Sequence, residues 1–254
     1  MTSFSTPRRS RSGRKTQPFS SGARTVVSTA LVRPGPLTTT DQRLHLPARE
    51  RLSRTAEDDP LLFYYMPIIG RVYRRRLELA VGLLESTVGS AVEVGYGSGI
   101  LLVELGRRAD RLIGVDRHDA GPTVRAMARA EGFDPLLVRG GICELPLAAG
   151  TADLLVCLSV LEHVRALDRA AAEIARVLRP GGVAVLGYPR VDRLMQALFP
   201  LIGFRGIAQH HVSTPADIER ALGARLTLET RRTWPRGPLP FYTVTRWRSA
   251  RHPG

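Results

Sequence analysis

The chain has almost no lysine: Lys15 is the only one, although basic residues number 37 against 23 acidic ones in 254 residues. The formal charge of +14 is therefore carried by arginine, a bias that genome composition explains in part. A basic surface attracts nucleic acid, anionic lipid or acidic small molecules and does not choose among them. Cysteine is scarce too. Cys143 and Cys157 make neither a disulfide framework nor a metal pattern, so the expectation is a reduced, cytoplasmic chain without structural metal. Long hydrophobic runs are missing. The longest, Pro60 to Ile69 and Leu194 to Phe204, are about ten residues, whereas a bilayer span needs about 20. An apolar content of 43% is ordinary for a globular chain and permits a sizeable core.

Acid is absent before Asp41, and residues 1–58 are rich in Arg, Ser, Thr and Pro without helical or strand period. Such a segment buries too little apolar surface to offset its ordering entropy, so a disordered tail is expected there. It lacks the apolar stretch of a secretory signal and superficially resembles an organelle transit peptide. Three readings stay open for it: targeting, contact with a membrane surface or nucleic acid, and an inert start. The folded part is expected over 59–254. A helix is predicted from about Val72 to Leu84, with Tyr73, Leu77, Ala80 and Leu84 on one face.

What is present is organised around Ala91-Val92-Glu93-Val94-Gly95-Tyr96-Gly97-Ser98-Gly99-Ile100. An apolar run reaches an acid, then a loop with glycine at alternate positions, then an apolar helical pattern. This predicts strand, tight turn and helix, with the loop built for close backbone approach to a ligand. A dinucleotide site wants G-x-G-x-x-G, which would put glycine at Ile100. A second apolar strand ends at Asp116, 23 positions after Glu93. A carboxylate at such a strand end can accept hydrogen bonds from both ribose hydroxyls.

The acid followed by G-x-G-x-G resembles the first motif of class I S-adenosylmethionine-dependent methyltransferases. Further along, Asp153 to Cys157 followed by Leu161-Glu162-His163-Val164 resembles the fourth motif of the type 11 members. Leu178-Arg179-Pro180-Gly181-Gly182 matches a recurrent turn of the family. The resemblance covers about residues 70 to 190. It implies an α/β, Rossmann-like seven-stranded sheet, mostly parallel, with helices on both faces. Alternation of helices and apolar strands points the same way. It implies S-adenosylmethionine as cofactor, S-adenosylhomocysteine as product, and methyl transfer to a small-molecule acceptor. The implied cofactor contacts are Glu93, Gly95, Tyr96, Gly97, Gly99, Asp116, Arg117, Ile142, Cys143, Leu158 and Ser159. Tyr65 or Tyr73 is a candidate to line the cleft. Candidate bases are His163, His210 and His211, since imidazole titrates near neutral pH.

The sequence departs from the family in two places. Arg117 stands where an apolar side chain often lies on the adenine face. An Asp that contacts the adenine amino group is replaced by Gly141, leaving Glu144 or the backbone at Ile142 and Cys143 for that contact. The Asn/Asp-Pro-Pro-aromatic loop of amino-methylating members is absent, which argues against methylation of a base amine or a glutamine. An acceptor-binding lid is expected at about 190–215, and its apolar residues suggest an apolar or amphipathic acceptor. Two late strands, Leu226 to Arg231 and Pro240 to Arg246, would complete the sheet. Two other functions remain: an RNA methyltransferase using the basic surface and tail, and a non-catalytic S-adenosylmethionine-binding fold member.

Overall fold

The computed structural model describes residues 44–56, 59–190, 212–237 and 240–250. The core of the expected lid, with His210 and His211, lies outside the described residues. The elements in chain order are α1 (Leu61–Tyr65), α2 (Ile69–Val81), β1 (Val88–Val94), α3 (Ile100–Gly106), β2 (Ala109–Asp116), α4 (Gly121–Ala130) and β3 (Leu136–Arg139). They continue with β4 (Ala152–Leu158), α5 (Leu167–Val177), β5 (Leu178–Pro189), α6 (Pro215–Gly223), β6 (Thr227–Trp234) and β7 (Tyr242–Arg248). One seven-stranded sheet runs β3-β2-β1-β4-β5-β7-β6. Its pairs are parallel except that β7 is antiparallel to both β5 and β6. This is the Rossmann-like architecture expected from the sequence.

The central strands are apolar throughout because both faces are covered. Side chains alternate across a strand. Ala91, Leu154, Val156, Val183 and Val185 join the core under α2, α3 and α4. Val92, Val94, Leu155, Cys157, Ala184 and Leu186 join the core under α5 and α6. Glu93 lies two residues beyond Ala91, so it shares the face toward α2 and α3. Helix α6 starts as its sequence predicts: Thr214 and Asp217 form a reciprocal capping box, and Pro215 opens the first turn.

The helix predicted from Val72 to Leu84 starts and ends three residues earlier, at Ile69–Val81, and two other boundaries differ more from the sequence reading. Residues 44–56 are not part of a bare tail. Leu52 is buried, Leu44 and Leu46 pack on the core, and the Tyr65 hydroxyl donates to the Pro47 carbonyl at 2.7 Å. Arg51 pairs with Glu131 at 2.7 Å. These leucines have no period in the sequence because each fills a separate gap. The folded unit therefore begins by residue 44 rather than 59. The second difference is at Leu178 to Gly182, expected as a turn. It is the first part of β5, with Gly181 at φ 76° and a register shift opposite Ala152 and Leu154. No helix among the described residues is long and apolar enough to cross a membrane.

Candidate functional site

Parallel strands place β1, β2 and β4 side by side with their carboxyl ends together, and the glycine loop leaves β1 at that end. Gly95, Gly97 and Gly99 have φ of 81°, 48° and 84°, the left-handed region that glycine adopts without steric penalty. A side chain at Gly95 would also run into Val160. At Gly97 nothing lies within 4 Å of where a Cβ would stand, so the loop flanks open space there.

Asp116 ends β2 beside this loop. Its Oδ2 accepts from the Gly97 amide at 2.8 Å and its Oδ1 from the Arg117 amide at 2.6 Å. A carboxylate has about four acceptor sites, so capacity remains for a ligand. His118 braces the same corner: its Nε2 lies 3.1 Å from the Gly97 carbonyl and 3.5 Å from Asp116 Oδ2. Glu93 is buried below the loop, and its Oε2 has no hydrogen-bond partner. Burial, with the Asp116 charge second, holds its carboxyl well above the usual range. An orphaned buried acceptor is costly unless something binds it.

The end of β4 carries the other half of the site. Ser159 stands at φ 57°, an uncommon conformation for a residue other than glycine. Its Oγ lies 2.9 Å from the Tyr242 hydroxyl and accepts from Arg76 Nη1 at 3.3 Å. Arg76 Nη2 donates to the Tyr64 hydroxyl at 3.1 Å. The guanidinium carbon sits 4.2 Å from the Tyr73 ring centroid and 5.4 Å from that of Tyr242, a cation–π arrangement. Arg76 Nε has no partner, and no carboxylate among the described residues is within ion-pair distance of Arg76. Glu162, in the turn after β4, is buried with an unpartnered Oε2. Burial pushes its carboxyl up to about 8.

The residues singled out from sequence separate into groups. Glu93, Gly95, Gly97, Gly99, Asp116, Leu158 and Ser159 converge at the strand ends. Tyr96 contributes backbone there, but its ring is buried against Gly114 and edge-on to His118. Arg117 is exposed. Ile142 is buried in the turn after β3, and the Cys143 thiol faces the Ala166 carbonyl at 3.7 Å. Glu144 is exposed, and its amide bonds the Gly141 carbonyl. The His163 side chain is 45% exposed, its Nε2 4.0 Å from Glu162 Oε1. Tyr73 joins the site through Arg76, whereas Tyr65 is tied to Pro47. Arg76, Tyr64 and Tyr242 were missed. The only sequence signal for Arg76 was its place one turn before Ala80 on the predicted helix, and Tyr242 carried none.

Residues 92–186 match the family model described as a methyltransferase domain, of type 11. This part of the chain is a methyltransferase domain. Its fold is that of the class I S-adenosylmethionine-dependent enzymes. A Mycobacterium methyltransferase of uncharacterised role is 36% identical over 110 residues, which is 41% of this chain and 41% of that one. A Mesorhizobium japonicum protein named ubiquinone biosynthesis O-methyltransferase is 29% identical over 149 residues, 54% of this chain and 59% of that one. The chain thus spans about two to three fifths of these relatives. Among solved structures, the N-methyltransferase NodS of Bradyrhizobium japonicum, in complex with S-adenosylhomocysteine, superposes with TM-score 0.56 at 20% identity. The match covers 79% of this chain and 96% of NodS. The protein PH0226 of Pyrococcus horikoshii gives TM-score 0.60 at 15% identity, covering 75% and 95%.

Proposed function

We propose that the protein transfers the methyl group of S-adenosylmethionine to a small apolar or amphipathic acceptor. The observation that carries this reading is the glycine backbone at positive φ beside open space, flanked by Asp116 and by the orphaned carboxylate of Glu93. These groups suit the donor's parts. Asp116 would accept the ribose hydroxyls. Glu93 would take the methionine ammonium, directly or through a water. Arg76, with no carboxylate in ion-pair contact among the described residues, would take the methionine carboxylate.

When bound, the donor supplies a methyl group already activated on a sulfonium. The chain's own contribution is alignment. The Gly95–Gly99 loop admits close approach, and Ser159, held by Tyr242 and Arg76, shapes the end of β4 where the acceptor would meet the methyl. An acceptor that loses a proton needs a base. His163 is the described candidate. His210 and His211 are the others. If replacing all three by Gln leaves turnover unchanged, the base assignment is wrong.

The apolar residues of 191–207 and the name of the Mesorhizobium relative both support a small-molecule acceptor. Calorimetric titration with S-adenosylmethionine, S-adenosylhomocysteine and NAD tests the reading. Micromolar binding of the first two, absent for NAD and lost in Asp116→Ala, is expected. Binding of NAD, or of none of the three, overturns it.

A further inference from the structure

Among the described residues seven large apolar side chains are exposed, and four of them fall within one short stretch. Leu62 is 49% exposed, Phe63 36%, Met66 41% and Ile68 82%, all on α1 or the turn into α2. Scattered single exposed apolar residues are ordinary, but a contiguous set marks a contact surface. The flank of this set is basic. From Pro60 to Leu77 the chain has four arginines, Arg71, Arg74, Arg75 and Arg76, and no acid. Arg71 and Arg75 are exposed. Arg74 is spent on the Tyr64 carbonyl at 2.6 Å, and the first acid, Glu78, pairs with Arg75 at 2.8 Å.

We propose that the shoulder formed by α1 and the start of α2 docks the protein on an anionic phospholipid surface. The apolar side chains would enter the boundary between headgroups and acyl chains, and exposed Arg71 and Arg75 beside them would meet lipid phosphates, the combination that interfacial binding uses. Nucleic acid has the same charge but offers no apolar layer to receive Leu62, Met66 and Ile68. Tyr64, Tyr73 and Arg76 on these same two helices line the candidate crevice. Docking would therefore bring the crevice to the lipid surface and give it acceptors dissolved there. That last step alone rests on the methyltransferase reading.

The test is sedimentation of the full chain with vesicles. Phosphatidylglycerol–phosphatidylcholine vesicles should carry the protein down, and pure phosphatidylcholine vesicles should do so at least tenfold less well. The double variant Met66→Glu/Ile68→Glu should cut the phosphatidylglycerol partition about tenfold or more, with affinity for S-adenosylhomocysteine unchanged. Phe63→Trp should shift its emission to the blue on those vesicles. Three results overturn the proposal. They are no sedimentation with phosphatidylglycerol vesicles, equal sedimentation of the double variant (the Arg-rich tail alone then holds the lipid), and a wild-type dimer without lipid that the double variant converts to monomer. Failure of the wild type to bind S-adenosylhomocysteine would count against the methyltransferase reading and leave the vesicle result standing.

Discussion

At the amino-terminal ends of β1, β4 and β5, Arg179, Arg246 and Arg248 each meet a carboxylate, whereas at the carboxyl ends Arg76 has none in ion-pair contact among the described residues. Arg179 pairs with Asp153 at 2.7 Å, Arg248 pairs with Glu229, and Arg246 bridges Glu85 and Glu229 at 2.8 and 2.9 Å. A cavity of about 370 Å³ lies among these pairs, but their charges satisfy one another. Across the sheet, Arg76 Nε, Glu93 Oε2 and Glu162 Oε2 are buried without partners. One end spends its charges on holding strands together. The other leaves buried polar atoms without partners, at a cost to folding that a bound ligand would offset.

That contrast can be broken at several points. The largest effect is expected at Asp116. Asp116→Ala should weaken S-adenosylhomocysteine more than about 100-fold, near 3 kcal/mol, while Asp153→Asn at the opposite end should leave that affinity unchanged. Parallel calorimetric titrations compare them, and equal losses would erase the distinction.

The next effect concerns pH. Glu162 keeps its proton in the fold up to about pH 8 but ionises near 4.5 in the unfolded chain. The folded pKa is raised, so stability is full below the unfolded value and is lost as pH rises from about 4.5 toward 8. Glu162→Gln should remove that loss, on the order of 5 kcal/mol in full, by urea unfolding at each pH. At the opposite end the sign reverses. Hydrogen bonds from Arg248, ahead of opposing burial, hold Glu229 below its usual value. Burial pushes Asp153 up, but its bonds from Ser90 and Arg179 outweigh that and leave it lowered. Their contribution is full above the ordinary carboxylate range and fades as pH falls through it. A wild-type pH profile identical to that of Glu162→Gln would refute the assignment.

A smaller effect separates two arginines. Arg246→Gln should lower stability by about 1 kcal/mol with unchanged ligand affinity, since it removes the bonds to Glu85, Glu229 and the Leu83 carbonyl while Arg248 still holds Glu229. Arg76→Gln should weaken S-adenosylhomocysteine about tenfold or more with little loss of stability. Thermal unfolding read beside calorimetry tells the two apart, and the same pattern in both variants would contradict it. The smallest effect is a proton count. Burial raises the Glu93 carboxyl well above its usual range, so a cationic ligand group should bring it back down and release protons, up to about one. Binding enthalpies measured in buffers of different ionisation heat report that number, and a value of zero would mean Glu93 does not meet the ligand's charge.

Much of the site was readable in the sequence because its parts are local. Gly95 and Gly97 announce positive φ, Glu93 and Asp116 close apolar runs, and the run from Asp153 to Leu158 carries its own turn after it. The segment 44–56 was not readable, since Leu44, Leu46 and Leu52 follow no period. Neither was the β5 extension through Arg179-Pro180-Gly181, a bulge between Leu178, which pairs with Ala152, and Val183, which pairs with Leu154 and Arg248. The Arg76 cluster was hidden for a different reason. Arg76 and Ser159 stand 83 positions apart, as do Ser159 and Tyr242.

By itself the sequence determined the strand–loop–helix at Glu93 to Ile100, the alternation of elements, and the acid that closes β2, because backbone freedom and side-chain period act between neighbours. Only the tertiary structure decided which distant side chains share the crevice and which charges there lack a counter-charge. Pairing and burial are set by the packing of whole elements, and no local pattern records them.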